Sequence, residues 1–164
     1  MSMQHDSPAL RLDDQLCFAL YAATNAVTRA YRPLLQRLGL TYPQYLVMLV
    51  LWQDGESPVG AIAARLSLPH NALVPMIDRL EGAGFVSRRR DDGDRRRTLI
   101  RLTDEGRRLE ADAAAAQAQV VCETGLQPEA LSALRDELKA LLSRMNAAEG
   151  PAGLSTNYER DQPQ

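Results

Sequence analysis

The hydrophobic pattern of this 164-residue chain keeps a helical period over nearly its whole length and breaks it once, between residues 85 and 102. That single break narrows the possible folds more than any other feature. Phe85-Val86-Ser87-Arg88 and Thr98-Leu99-Ile100-Arg101-Leu102 alternate as short strands do, and they bracket the turn-rich segment Asp91-Asp92-Gly93-Asp94. Such a pair reads as a β-hairpin. Upstream, Ser57-Pro58 opens a short helix, VGAIAARL, and a brief turn at Ser67-Leu68 leads into PHNALVPMIDRLEGAG, with Pro69 near its first turn. Two helices joined by so tight a turn form a helix-turn-helix, and a hairpin behind them forms a wing. The expected fold class is mainly α with a small β-hairpin, a winged helix-turn-helix spanning residues 41–102.

The flanks read as long helices. Asp6-Ser7-Pro8 supplies a cap, and Leu12, Leu16, Leu20, Ala23, Val27 and Ala30 recur at helical spacing, predicting a first helix over 8–37, kinked at Pro33 and followed by Gly39. Thr41-Tyr42-Pro43 starts a second, strongly apolar helix that ends near Gln53. Thr103-Asp104-Glu105 caps a fifth, which runs to about Glu123 before Gly125. Pro128 begins a sixth, with Leu131, Leu134, Leu138, Leu141 and Leu142 in one apolar stripe. Residues 147–164, polar and rich in Gly and Pro, are expected to be a disordered tail.

Composition removes several alternatives. A chain that is 45% hydrophobic at this length can build its core without a disulfide framework or structural metal. Two cysteines, Cys17 and Cys122, and two histidines, His5 and His70, do not fill a four-ligand zinc site of the usual types. No run is long and apolar enough to span a membrane, and the start MSMQHDSPALRLDD lacks the features of a signal peptide, so a cytoplasmic location with reduced thiols is expected. The net charge of -2 conceals a local excess: residues 88–108 carry nine Arg against five Asp and Glu, or +4, leaving -6 elsewhere. A basic patch on an acidic protein suits phosphate contact, although DDGDRRR could equally be a self-paired surface loop.

The order helix, helix, helix-turn-helix, wing and two C-terminal helices, with Asp94-Arg95-Arg96 in the wing and Leu102-Thr103 before the next helix, resembles the multiple antibiotic resistance regulator (MarR) family. Within it, LCFALYAATNAVTRAYRPLL followed by LGLTYPQYLVMLVLW resembles the organic-hydroperoxide-sensing repressors (OhrR type), a likeness covering about residues 10–145. The resemblance implies a homodimer joined through helices in 8–40 and 103–146. It would bind an inverted-repeat operator in double-stranded DNA when reduced and be released on oxidation by an organic hydroperoxide. By position, Cys17 matches the peroxide-sensing cysteine, Tyr31 and Tyr42 the tyrosines that activate it, and Cys122 the resolving thiol of two-cysteine members, giving an intersubunit disulfide. Tyr21 is a further candidate for sensor activation. The usual recognition-helix opening, Asp-Ser-Gly/Ala-Thr-Leu-Thr-Pro, is replaced here by Pro69-His70-Asn71-Ala72-Leu73-Val74-Pro75, so the operator does not carry over from the resemblance.

The chemistry is consistent with two thiols. A thiolate that attacks an O–O bond becomes a sulfenic acid, and a second thiol traps it as a disulfide. With a helix from residue 8, Cys17 would lie beyond the reach of the N-terminal dipole, so activation would fall to hydroxyl donors. Tyr31 is fourteen residues along the same helix, roughly 21 Å away at 1.5 Å per residue, so any help it gives Cys17 must come from a second, antiparallel copy. Core packing is the plain alternative for both cysteines, which have apolar neighbours in Leu16-Cys17-Phe18 and Val120-Val121-Cys122.

Docking geometry nominates the DNA-reading residues. The N-terminal turn of the recognition helix places His70, Asn71, Ala72 and Val74 nearest base edges, with Asn71 as the natural adenine reader. Arg65 and Arg79 suit phosphates. In the wing, Arg96 suits the minor groove with Asp94 pairing its guanidinium, while Arg95 and Arg97 either join it or face the helices. No metal, cofactor or catalytic residue is expected. Two other functions remain open: a regulator of this fold released by a small phenolic ligand, with inert cysteines, and a thiol peroxidase turning over through Cys17 and Cys122.

Overall fold

The computed structural model describes residues 10–149. Six α-helices and three short strands follow in the order α1 (Leu16–Arg37), α2 (Tyr42–Asp54), β1 (Ser57–Pro58), α3 (Val59–Leu66), α4 (His70–Gly82), β2 (Val86–Arg90), β3 (Thr98–Leu102), α5 (Asp104–Glu123) and α6 (Pro128–Glu149). The winged helix-turn-helix is present as expected.

The first helix begins later than its apolar spacing suggested. Leu12–Asp14 form a 3-10 turn, and Gln15 is extended (φ -88°, ψ 120°), so α1 starts at Leu16. Leu12 satisfies a helical period without being in the α-helix, because one tight turn places apolar residues at nearly the same spacing. The cap at Asp6-Ser7-Pro8 lies outside the described residues. Pro33 sits inside α1 without ending it. Beyond the helix, Gly39 takes φ +72°, and Leu40 N–H returns to Leu35 O at 3.0 Å.

Helix α2 opens on a capping box. The Thr41 N–H donates to Gln44 Oε1 at 2.8 Å, and the Gln44 N–H donates to Thr41 Oγ at 3.4 Å. The turn between α3 and α4 is made by Ser67 in the left-handed region (φ 53°, ψ 39°), with Ser67 N–H on Ala64 O and Leu68 N–H on Ala63 O. Leu35, Met48, Leu51, Ile62, Leu73, Ile77, Leu80 and Ile100 are fully enclosed and form the centre of the core.

The hairpin is part of a three-stranded antiparallel sheet, ordered β1-β3-β2, with Ser57 opposite Ile100 on one side of β3 and Arg88 opposite Ile100 on the other. A strand of two residues is too short for any periodicity to announce it. Helix α5 is capped by Thr103, whose side chain accepts from Gly106 N–H at 3.1 Å and donates to Gly84 O at 2.6 Å. Gly106 is buried; a Cβ there would stand 2.0 Å from Phe85 O. The Trp52 indole N–H reaches Gly106 O at 3.0 Å, fastening α2 to the same joint.

Helix α6 continues through Glu149, so residues 147–149, expected in a disordered tail, are helical; residues 150–164 lie outside the described part. Its apolar stripe exists, but Leu134, Leu138, Leu142 and Met145 are exposed, and α6 has no substantial packing against the other described residues of its chain. Leu16, Phe18, Tyr21 and Val27 are likewise exposed on α1.

Candidate functional site

The recognition helix α4 has its core side on Leu73, Ile77 and Leu80, all buried, which turns the opposite side outward. His70 and Asn71 are exposed in its first turn, Ala72 and Val74 are half-buried, and Arg79 is exposed farther along. Pro69 caps this helix without a side-chain acceptor, leaving first-turn N–H groups available to an anion. Arg65, on α3, donates from Nε to Asp54 Oδ2 at 3.0 Å. Its charge is already partnered.

The wing loop is folded by its aspartates. Asp91 Oδ1 accepts from Gly93 N–H at 2.9 Å, Asp94 Oδ1 accepts from Arg96 N–H at 3.0 Å, and Asp94 O accepts from Arg97 N–H at 2.9 Å. Asp94 was expected to hold the Arg96 guanidinium; it holds the Arg96 backbone instead. A short carboxylate two residues before an N–H closes an Asx turn more readily than it reaches out along a long side chain. Arg95, Arg96 and Arg97 are exposed and make no ion pair with any described residue, so DDGDRRR does not neutralise itself. All three side chains are accessible to solvent.

Two arginines that sequence reasoning passed over are fixed firmly. Arg88 bridges Asp78 (Nη2 to Oδ1, 2.5 Å) and Glu81 on α4. Arg89 forks onto Glu56, Nε to Oε2 at 3.1 Å and Nη2 to Oε1 at 2.5 Å, and its Nη1 reaches Asp92 at 2.7 Å. The Arg89 hydrogen bonds hold the Glu56 carboxyl below its ordinary range. Strand alternation was the available signal, because neighbours in a strand face opposite ways.

The two thiols and the tyrosines occupy different places. Cys17 is the second residue of α1, in the first turn, not several residues inside a helix. Cys122 lies near the C-terminus of α5. Both are free and exposed, so packing within their own chain does not explain them. Tyr31 is buried and Tyr42 half-buried, and they stack with Tyr45: ring centroids are 5.4 Å apart for Tyr31–Tyr42 and 5.3 Å for Tyr31–Tyr45. Tyr45 had no assigned role, yet it centres the cluster, 6.4 Å from Trp52. Burial pushes the phenols of Tyr31, Tyr42 and Tyr45 above the ordinary value, so all three remain O–H donors at neutral pH. Tyr21, 66% exposed, stands apart on the outer face of α1.

Beside the cluster, Tyr45, Leu49, Trp52, Glu110, Ala113 and Gln117 line a cavity of about 210 Å³ between α2 and α5. Among the described residues no group of three or more His, Cys, Asp or Glu could hold a metal ion, and no helix is long and apolar enough to cross a membrane.

A helix-turn-helix with an arginine-tipped wing defines the winged-helix class of DNA-binding architectures. Residues 40–98 match the MarR family. The chain is 44% identical over 143 residues to the HTH-type transcriptional regulator TtmR of Methylorubrum extorquens, covering 87% of this chain and 73% of that one. It is 35% identical over 144 residues to the organic hydroperoxide resistance transcriptional regulator of Bacillus subtilis, covering 88% and 98%. The chain belongs to the MarR family and is a transcriptional regulator of that family.

Among solved structures, reduced AbfR bound to DNA superposes with a TM-score of 0.69 at 33% identity (84% of this chain, 96% of that one), and disulfide-formed AbfR with 0.59 at 34% (82% and 95%). AbfR is a Staphylococcus epidermidis protein. CouR of Rhodococcus jostii RHA1, bound to p-coumaroyl-CoA, gives 0.72 at 30% identity (80% and 94%).

Proposed function

We propose that this protein is a homodimeric redox-sensing repressor that holds operator DNA while Cys17 is reduced and lets go when an organic hydroperoxide oxidises it. The observation that carries this reading is the separation of the sensing parts. An exposed Cys17 opens α1, and the donor cluster Tyr31, Tyr42 and Tyr45 sits at its far end, roughly 21 Å away. A second copy whose α1 runs antiparallel brings each thiol to the other's tyrosines. The exposed apolar residues of α1 and α6 are the surface such a dimer buries.

The thiolate of Cys17 attacks the terminal oxygen of the hydroperoxide. The S–O bond forms, the O–O bond breaks, and the leaving alkoxide takes a proton donated through a tyrosine hydroxyl and departs as the alcohol. The sulfenic acid then condenses with the Cys122 thiol of the second copy, forming an S–S bond and releasing water. Reduced, the dimer presents the α4 first turn to the major groove and Arg95, Arg96 and Arg97 to the minor groove. Support for a DNA-bound state comes from the likeness to reduced AbfR bound to DNA. An enzymatic turnover role has no use for the arginine-tipped wing.

The test is operator release by cumene hydroperoxide in wild type and Cys17→Ser. The variant is expected to bind DNA as wild type does and to ignore peroxide; release from the variant on oxidation would refute the assignment. The cavity beside Tyr45 and Trp52, with the likeness to CouR, favours one second reading, a regulator released by an aromatic ligand. Release by such a ligand under full reduction would establish it.

A further inference from the structure

Helix α4 carries its DNA-facing side chains and two carboxylates on one stripe. Asn71, Val74, Asp78 and Glu81 follow one another at three- and four-residue spacing along the flank of the buried Leu73, Ile77 and Leu80, with Asn71 and Asp78 exposed and Val74 and Glu81 half-buried. The front of the stripe is neutral and open. Its rear would present two negative charges toward a phosphate backbone. There the root of the wing intervenes: Arg88 on β2 places one fork arm on Asp78 Oδ1 at 2.5 Å and the other on Glu81, and its own backbone N–H donates to Glu81 Oε1 at 3.0 Å. Three contacts to two carboxylates fix both the position and the orientation of β2 against α4.

We propose that Arg88 is the positioning residue that sets the offset between recognition helix and wing. It offsets one of the two negative charges of Asp78 and Glu81 and pins β2 to the rear of α4, so that Arg95, Arg96 and Arg97 reach the DNA at a constant distance from Asn71. It does not itself meet a phosphate. A lysine would keep the charge but lacks the planar fork that spans two carboxylates. The partition of arginines follows: Arg88 and Arg89 organise the wing from within, and those at its tip, free of ion pairs, are left for DNA. This inference rests on the DNA-binding part of the proposed function and is independent of the redox part.

The probe is a duplex selected from a random pool by the wild-type protein. Its affinity is measured for Arg88→Ala and Arg88→Lys in two backgrounds, wild type and Asp78→Asn with Glu81→Gln, each checked for folding by its melting curve. Arg88→Ala is expected to weaken binding at least tenfold in the wild-type background and less than threefold where the acids are neutral, with Arg88→Lys between. An equal loss in both backgrounds would mean that Arg88 touches DNA directly, and no loss in either that it positions nothing; both overturn the proposal. A merely stabilising role would lower the melting temperature and leave the affinity of the folded protein unchanged. If the wild type selects no duplex at all, the DNA reading fails instead, which is a separate result.

Discussion

The segment from Ser57 to Gly106 and the two helices that flank it, α1 and α6, are built on opposite terms. The first completes itself within one chain. Ile62, Leu73, Ile77 and Ile100 are fully enclosed, Arg88 and Arg89 are held by carboxylates, and Thr103, Gly106 and Trp52 lock the wing base to α5 and α2. The second leaves Leu16, Phe18, Val27, Leu134, Leu138, Leu142 and Met145 against water. The DNA-reading segment is finished locally, whereas under the proposed function the effector site is completed by a second copy.

The largest expected effect attacks the unfinished half. Leu138→Glu with Leu142→Glu should abolish the dimer, since burying each leucine contributes roughly 1.5–3 kcal/mol and burying an unpaired carboxylate opposes association further. Sedimentation should show a monomer that keeps its helical circular dichroism. A stable dimer from this variant would place the interface elsewhere.

Next comes the finished half. Gly106→Ala puts a methyl 2.0 Å from Phe85 O, a contact between backbones that no rotamer relieves. Overpacking of this kind costs about 1–3 kcal/mol, and the thermal midpoint should fall by several degrees. An unchanged midpoint would mean that the α5 joint is looser than described.

The tyrosine cluster joins the two halves, and its pH response has a definite sign. Burial raises the Tyr31 phenol above the unfolded value near 10, as it does for Tyr42 and Tyr45. The stability tied to these neutral phenols is full below pH about 10 and is lost as pH climbs through the raised values. Thermal midpoints measured from pH 8 to 12 should therefore drop above 10, and Tyr31→Phe should soften that drop. A midpoint that falls equally in both proteins would detach Tyr31 from it.

The smallest effect is a gain. Ser67 holds a left-handed conformation, φ 53°, at the helix-turn-helix turn, and Ser67→Gly removes a strain of about 1 kcal/mol, offset by the greater freedom of glycine when unfolded. A rise of a degree or two is expected by calorimetry, and a fall would show that the serine is otherwise held.

What could be read from the chain beforehand cuts across that division. Periodicity found α2 to α5, whose apolar faces are satisfied within the chain, and also α6, whose apolar stripe is not, while Cys17, Tyr31 and Tyr42 were nominated by the resemblance alone. It missed β1, whose two residues have no period, and it started α1 too early, because the 3-10 turn at Leu12–Asp14 imitates helical spacing. That error hid the first-turn position of Cys17. Asp94 was assigned to a guanidinium because opposite charges two residues apart invite pairing, whereas turn geometry favoured the backbone. The Arg88 clamp was out of reach for another reason: seven and ten residues separate it from Glu81 and Asp78, across a change of element that spacing rules do not bridge.

The central claim is that the sensor is assembled between two copies, and a non-reducing gel of the purified protein after a slight excess of cumene hydroperoxide tests it most directly. A covalent dimer is expected in wild type that disappears in both Cys17→Ser and Cys122→Ser and reverts with dithiothreitol. A wild-type protein that stays monomeric on the gel with both thiols still free, or a dimer that survives loss of Cys17, would contradict it.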